Sequence, residues 1–92
     1  MRDLVLHLKS CYFHEVTAGI KILEYRLAKP YWVKRLEGQV YDRVIIWDAF
    51  KKASPETVLV FPWKWAIRTT IRHPHFGPAP VEVFAIKLDA EK

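Results

Sequence analysis

Lys21, Glu24 and Arg26 stand close together in the stretch AGIKILEYRLAKPYW, residues 18–32. An ammonium, a carboxylate and a guanidinium at that spacing are the means to hold a phosphate, read a base edge or move a proton. On a strand, side chains alternate between faces. Leu23, Tyr25 and Leu27 then share one face, and Ile22, Glu24 and Arg26 share the other. The first set reads as core. The second places the carboxylate and the guanidinium about 7 Å apart at their Cα atoms, near enough to touch or to clasp something between them. Lys21, shortly after Gly19, leans toward the same place. A plain structural ion pair is the competing explanation. Exposed pairs contribute only about 0–1 kcal/mol, and structural pairs imitate functional ones.

Other residues offer less. Trp32, Trp47, Trp63 and Trp65, with Tyr31 and His75, interleave with Lys29, Lys34, Arg35, Lys64 and Arg68. Bases stack on such rings, each contact being worth about 1–3 kcal/mol. At least half of these rings are expected in the core, because aromatics dominate the packing of small domains. Trp63, beside Pro62, is the one expected to be exposed. His73 and His75 have no third ligand near them in the sequence, so no metal site and no cofactor are expected. His7 reads as a core histidine, and Lys9 as facing a cleft or solvent. Ser10 reads as a helix cap, and Cys11 has no identified base, so no activated nucleophile stands out.

The elements that position these residues follow from periodicity and punctuation. LVLHLK, residues 4–9, alternates as a strand with apolar residues on both faces, expected to be central. CYFHEVTAG reads as a short helix stopped by Gly19, and KILEYRLA as the next strand. KPYWVKRLEG reads as a second helix with Pro30 in its first turn and Gly38 as its stop. YDRVIIWDAF is a strand and KKASPE a polar loop. TVLVFPWKWAIRTTIRH is a long strand pattern interrupted at Pro62, where a bulge, bend or sheet edge is expected. PHFGPAP reads as a rigid loop, and VEVFAIKLD as the last strand. The expected class is α+β, mostly β: about five strands curled into a small barrel that hides their edges, with two short helices.

The whole chain sets outer limits. Its 92 residues suit one domain, 1–92, and 51% hydrophobic residues suffice for a core. The single cysteine, Cys11, excludes an intramolecular disulfide and fits the cytosol. No apolar run approaches the roughly 20 residues a spanning helix needs, and no signal peptide is read. The net charge of +5 favours polyanionic partners.

GIKILEYR, residues 19–26, fits the pattern Gly-x-Lys-x-x-Glu-x-Arg, led in by LVLHLKSCYFHEVTAG. With KPYW at 29–32 and HPHFGPAPVEVFAI at 73–86, it resembles the ASCH family, relatives of the PUA domain, and in particular the short ASCH proteins of phages and prophages. The resemblance implies a PUA-like small β-barrel with a basic cleft beside it, lined by Lys21, Glu24 and Arg26. It implies binding of RNA or a nucleotide. Arg26 would hold a phosphate or base edge, and Lys21 would add a second positive charge. Glu24 would orient Arg26 or accept from an exocyclic amine. Tyr31, Trp32, Trp63, Arg68 and His75 join the candidate nucleic-acid-binding residues. Some members look like ribonucleases, and one branch hydrolyses the acetyl amide of N4-acetylcytidine. In an enzyme, Lys21 and Glu24 would carry the proton transfers. That branch has threonine where this chain has Glu24, and a further glutamate absent from RHPHFGPAP, which argues against the amidase activity here. A phage protein directed at a host protein is the third reading.

Overall fold

The computed structural model describes residues 2–49, 51, 52, 54 and 57–88, and of His75 the backbone alone. The leucine alternation becomes strand β1, Asp3–Leu8, with Leu4, Leu6 and Leu8 buried. Helix α1, Ser10–Thr17, follows at once and buries Phe13 and Val16. Its N-cap is Lys9 rather than Ser10; the Ser10 hydroxyl instead donates to Asp48 Oδ1 at 2.7 Å. The helix closes in a Schellman motif. The Ile20 and Gly19 N–H groups, each at 3.0 Å, donate to the Glu15 and Val16 carbonyls. Gly19 has φ +76°, a conformation glycine takes without Cβ strain. The Glu15 carbonyl also accepts the Lys21 N–H at 3.1 Å, so the helix end fixes the backbone that carries Lys21.

The remaining elements are β2 (Leu23–Leu27), α2 (Pro30–Leu36), β3 (Arg43–Asp48), β4 (Val58–Pro62), β5 (Ala66–His73), a 3-10 turn (Pro74–Phe76) and β6 (Gly77–Lys87). They form two three-stranded sheets, in the orders β1-β3-β4 and β2-β6-β5. β1 runs parallel to β3, and the other pairings are antiparallel.

The α+β, strand-rich class is as expected, with six strands instead of about five. The extra strand arises at Pro62. Proline cannot donate to a ladder, and β4 is the outer strand of its sheet and stops there. Residues 63–65 then cross between the sheets. The Trp63 N–H bonds the Asp42 carbonyl at 3.1 Å, and the Lys87 N–H bonds the Trp65 carbonyl at 3.0 Å. No closed barrel is found: among the described residues no ladder joins the two sheets. β1 is an outer strand, not a central one. The segment expected as a loop at 74–80 is a turn followed by the start of β6. Pro78 and Pro80 fit there because β2 pairs with β6 only from Val83 to Lys87, leaving this stretch with β5 as its neighbour.

The core lies between the sheets and the two helices. It joins Leu4, Leu6 and Leu8 to Val44 and Ile46 of β3, Phe84 and Ile86 of β6, and Phe13, Val16 and Leu36 of the helices. β2 contributes no residue to this buried cluster. Register explains why. Glu24 lies opposite Ile86, and Arg26 opposite Phe84, so the acid–base face is the inward one. Leu23, Tyr25 and Leu27, expected in the core, lie on the other face and are half-buried.

Across β1 and β3, Arg43 clasps Asp3 through two hydrogen bonds of 3.0 and 2.8 Å. The hydrogen bond from Arg43, helped by its charge, holds the Asp3 carboxyl below its ordinary range. A depressed carboxyl contributes stability above its unfolded-state value and loses it as pH falls through the folded one. Asp3→Asn is therefore expected to reduce the loss of stability on acidification below about pH 4, seen as urea midpoints at pH 7 and pH 3 that lie closer together than in the wild type. Ile46, fully shielded in the centre of the core, sets a second expectation: Ile46→Ala should cost about 2–5 kcal/mol in urea unfolding.

Candidate functional site

The inward face of β2 does not end under packed apolar side chains. It opens on a hollow of about 340 Å³ between the end of β1, the start of each helix and the tip of the β5–β6 hairpin. Lys21, Glu24 and Arg26 all line it. Glu24 is the bridge. Its Oε1 is 3.3 Å from Lys21 Nζ, and its Oε2 is 2.9 Å from Arg26 Nη2. Only 8% of the Glu24 side chain is exposed, against 16% for Lys21 and 19% for Arg26. The carboxylate is the deep member and the two cations stand nearer the opening. One negative charge thus holds two positive ones side by side, in a setting where screening by water is reduced.

Aromatic rings fix both cations. Lys21 Nζ sits 5.6 Å from the Tyr12 ring centre and 5.5 Å from that of Tyr25, within cation–π range of both. Arg26 Cζ lies 5.1 Å from the Trp32 ring, and its Nη2 also donates to the His7 carbonyl at 3.1 Å. Among the described residues the buried Arg26 Nε has no hydrogen-bond partner. Each contact has a local cause. The Schellman turn after α1 delivers Lys21 beside Tyr12 of the same helix. Pro30 starts α2 directly after β2, which brings Trp32 of its first turn back over Arg26. The hairpin tip supplies His73, whose ring is 6.1 Å from Tyr25 and 6.0 Å from Phe76.

Among the described residues, Lys9, Lys21, Arg26 and Lys29 line this hollow, against the carboxylate of Glu24. An anion is therefore favoured over a cation as occupant. Among the described residues no group of three or more His, Cys, Asp or Glu side chains is placed to hold a metal ion. Nor is any described helix long and apolar enough to cross a membrane.

The other sequence candidates scatter. Trp32 lines the hollow, whereas Tyr31, next to it, is exposed and lines an adjoining one. Trp63 is not the exposed tryptophan. It is half-buried against the core and 5.3 Å from the Tyr41 ring, because the crossing between sheets turns it inward, while Trp65 is the exposed one. Arg68 is away from the hollow. It is bonded to Glu82 and Glu37, which raise its pKa above the usual arginine value. The His75 side chain lies outside the described residues. Sequence reasoning missed Tyr12 and Tyr25 as lining residues, and took His7 for core although it is exposed at the rim. For His7 a signal existed: it alternates with the buried leucines of β1 and so shares the outward face of Val5. Tyr12 had none, since only the packing of α1 brings it to β2.

No family model, curated protein or solved structure matches this chain.

Removing the bridge leaves the Lys21 and Arg26 charges facing each other with less to offset them. Glu24→Gln is expected to lower stability by about 1–3 kcal/mol, checked by urea denaturation. The loss should shrink in Glu24→Gln/Lys21→Met, where one of the two facing charges is gone.

Proposed function

We propose that the chain binds RNA or a nucleotide in the hollow over β2, as the resemblance to the ASCH family implies. One observation carries the reading: two cations tied to one buried carboxylate, each against an aromatic ring, in a single hollow. A nucleotide has a part for each component. Its phosphate takes the charge of Lys21 and the planar fork of Arg26. Its base takes the face of an aromatic ring, where stacking is worth about 1–3 kcal/mol. Its amino or hydroxyl hydrogens have Glu24 as an acceptor. The volume of about 340 Å³ lies in the range of small-ligand sites, about 300–1,000 Å³. That is room for one unpaired nucleotide and not for a duplex. The unpartnered Arg26 Nε adds support, since a buried donor of this kind is costly unless something accepts from it.

The PUA-like barrel belongs to the same proposal. In it the two three-stranded sheets are the halves of an opened barrel, bridged by residues 63–65. The charge arrangement also accommodates the second reading, a ribonuclease or amidohydrolase in which Lys21 and Glu24, 3.3 Å apart, exchange protons with the substrate.

Calorimetric titration with ribonucleotides is the test. Arg26→Ala and Lys21→Ala should each weaken binding at least tenfold while keeping the wild-type circular dichroism. Wild-type affinity should fall with salt. Unchanged affinity in both variants would sink the assignment of the hollow. Turnover of RNA or N4-acetylcytidine by the wild type, abolished in Lys21→Ala, would move the reading to an enzyme.

A further inference from the structure

A second hollow, of about 560 Å³, adjoins the first and shares His7, Arg26 and Trp32 with it. Arg26 and Trp32 thus form a ridge with an opening on either side. The far side is also built of stacked cations and rings. Arg35 Cζ lies 4.2 Å over the Tyr31 ring, and Arg2 Cζ 4.4 Å over that of Tyr41. The Tyr31 and Trp32 rings meet edge to face, their centres 4.9 Å apart.

The charges there are not used up within the protein. Among the described residues no carboxylate pairs with the Arg35 guanidinium, and that of Arg2 is held by neutral acceptors, the Val40 carbonyl at 2.8 Å and Gln39 Oε1 at 2.6 Å. The carboxylate lining this second hollow, Asp3, is engaged by Arg43. Among the described residues, six lysine or arginine side chains stand across both hollows, Arg2, Lys9, Lys21, Arg26, Lys29 and Arg35, against Glu24 and Asp3. A nucleoside monophosphate offers one phosphate group, too little for cations on both sides of a ridge. A strand offers a phosphate at every step and a base between them.

Resting on the reading of the first hollow given above, we infer that the second hollow is a subsite for the next nucleotide of the same strand, with Arg35 on its phosphate and Tyr31 under its base. The partner is then a single-stranded nucleic acid that crosses the Arg26–Trp32 ridge, not a free mononucleotide. An acidic peptide would meet the charges but make no use of the exposed Tyr31 ring.

Titration with strands of one, two and four nucleotides, RNA and DNA in parallel, tests this. For the wild type the two-nucleotide strand should bind at least tenfold more tightly than the mononucleotide. The slope of log K against log salt should steepen by about 0.7 for each added phosphate contact. Arg35→Gln lies on an exposed helix position and should keep the wild-type melting curve. It should erase the gain with length and the added slope, and leave mononucleotide affinity within twofold. Equal affinity for one and two nucleotides, or a gain that survives in Arg35→Gln/Tyr31→Ala, overturns the second subsite while leaving the first intact. A hexaglutamate peptide that displaces the two-nucleotide strand but not the mononucleotide overturns it in favour of an acidic protein partner. Failure of nucleotides of every length to bind the wild type overturns the first hollow, and the subsite with it.

Discussion

The Glu24 carboxylate, held between Lys21 and Arg26 on the inward face of β2, is the constraint on which the candidate site depends. Two cations placed together beside a protein core repel each other and lose water. A buried carboxylate within 3.3 Å of both offsets that cost and sets their directions. The rings of Tyr12, Tyr25 and Trp32 complete the support through cation–π contact. The result is a preorganised pair of donors with net positive charge at the mouth of a hollow, which is what an anionic ligand needs for tight binding.

The fold serves that arrangement by leaving one end of its core unfilled. Apolar side chains of β1, β3 and β6 pack to completion around Leu6, Ile46 and Ile86. β2 faces the same interior but contributes charge instead, and the gap it leaves is walled by the start of both helices and the hairpin tip. The two sheets are separate ladders bridged by the crossing at residues 63–65.

The sequence was informative where a signal is local. Helix stops at Gly19 and Gly38, the proline start of α2 and the break at Pro62 all follow from the backbone chemistry of single residues, and each lies where that chemistry puts it. The Lys-Glu-Arg grouping was legible for the same reason, because strand alternation places Glu24 and Arg26 together. What alternation could not tell was which face of β2 is inward. Hydrophobicity pointed to Leu23, Tyr25 and Leu27, and pairing with Ile86 and Phe84 decided otherwise. Trp63 and Trp65 show the same limit: adjacent in type and spacing, they differ in exposure because a sheet crossing, not a continued strand, lies between Pro62 and Ala66.

By itself, then, the sequence determined the strand-rich α+β class, the breaks at Gly19, Gly38 and Pro62, the excess of positive charge and the chemical identity of the central triad. Those are properties of single residues and of spacings within one element. Tertiary structure alone decided that the triad faces inward, that Tyr12 of α1 meets Lys21 there, and that Arg68 is withdrawn into an ion-pair network with Glu37 and Glu82. The physical reason is that a side chain's neighbours across a sheet or against a helix are set by register and packing, which depend on the whole chain at once.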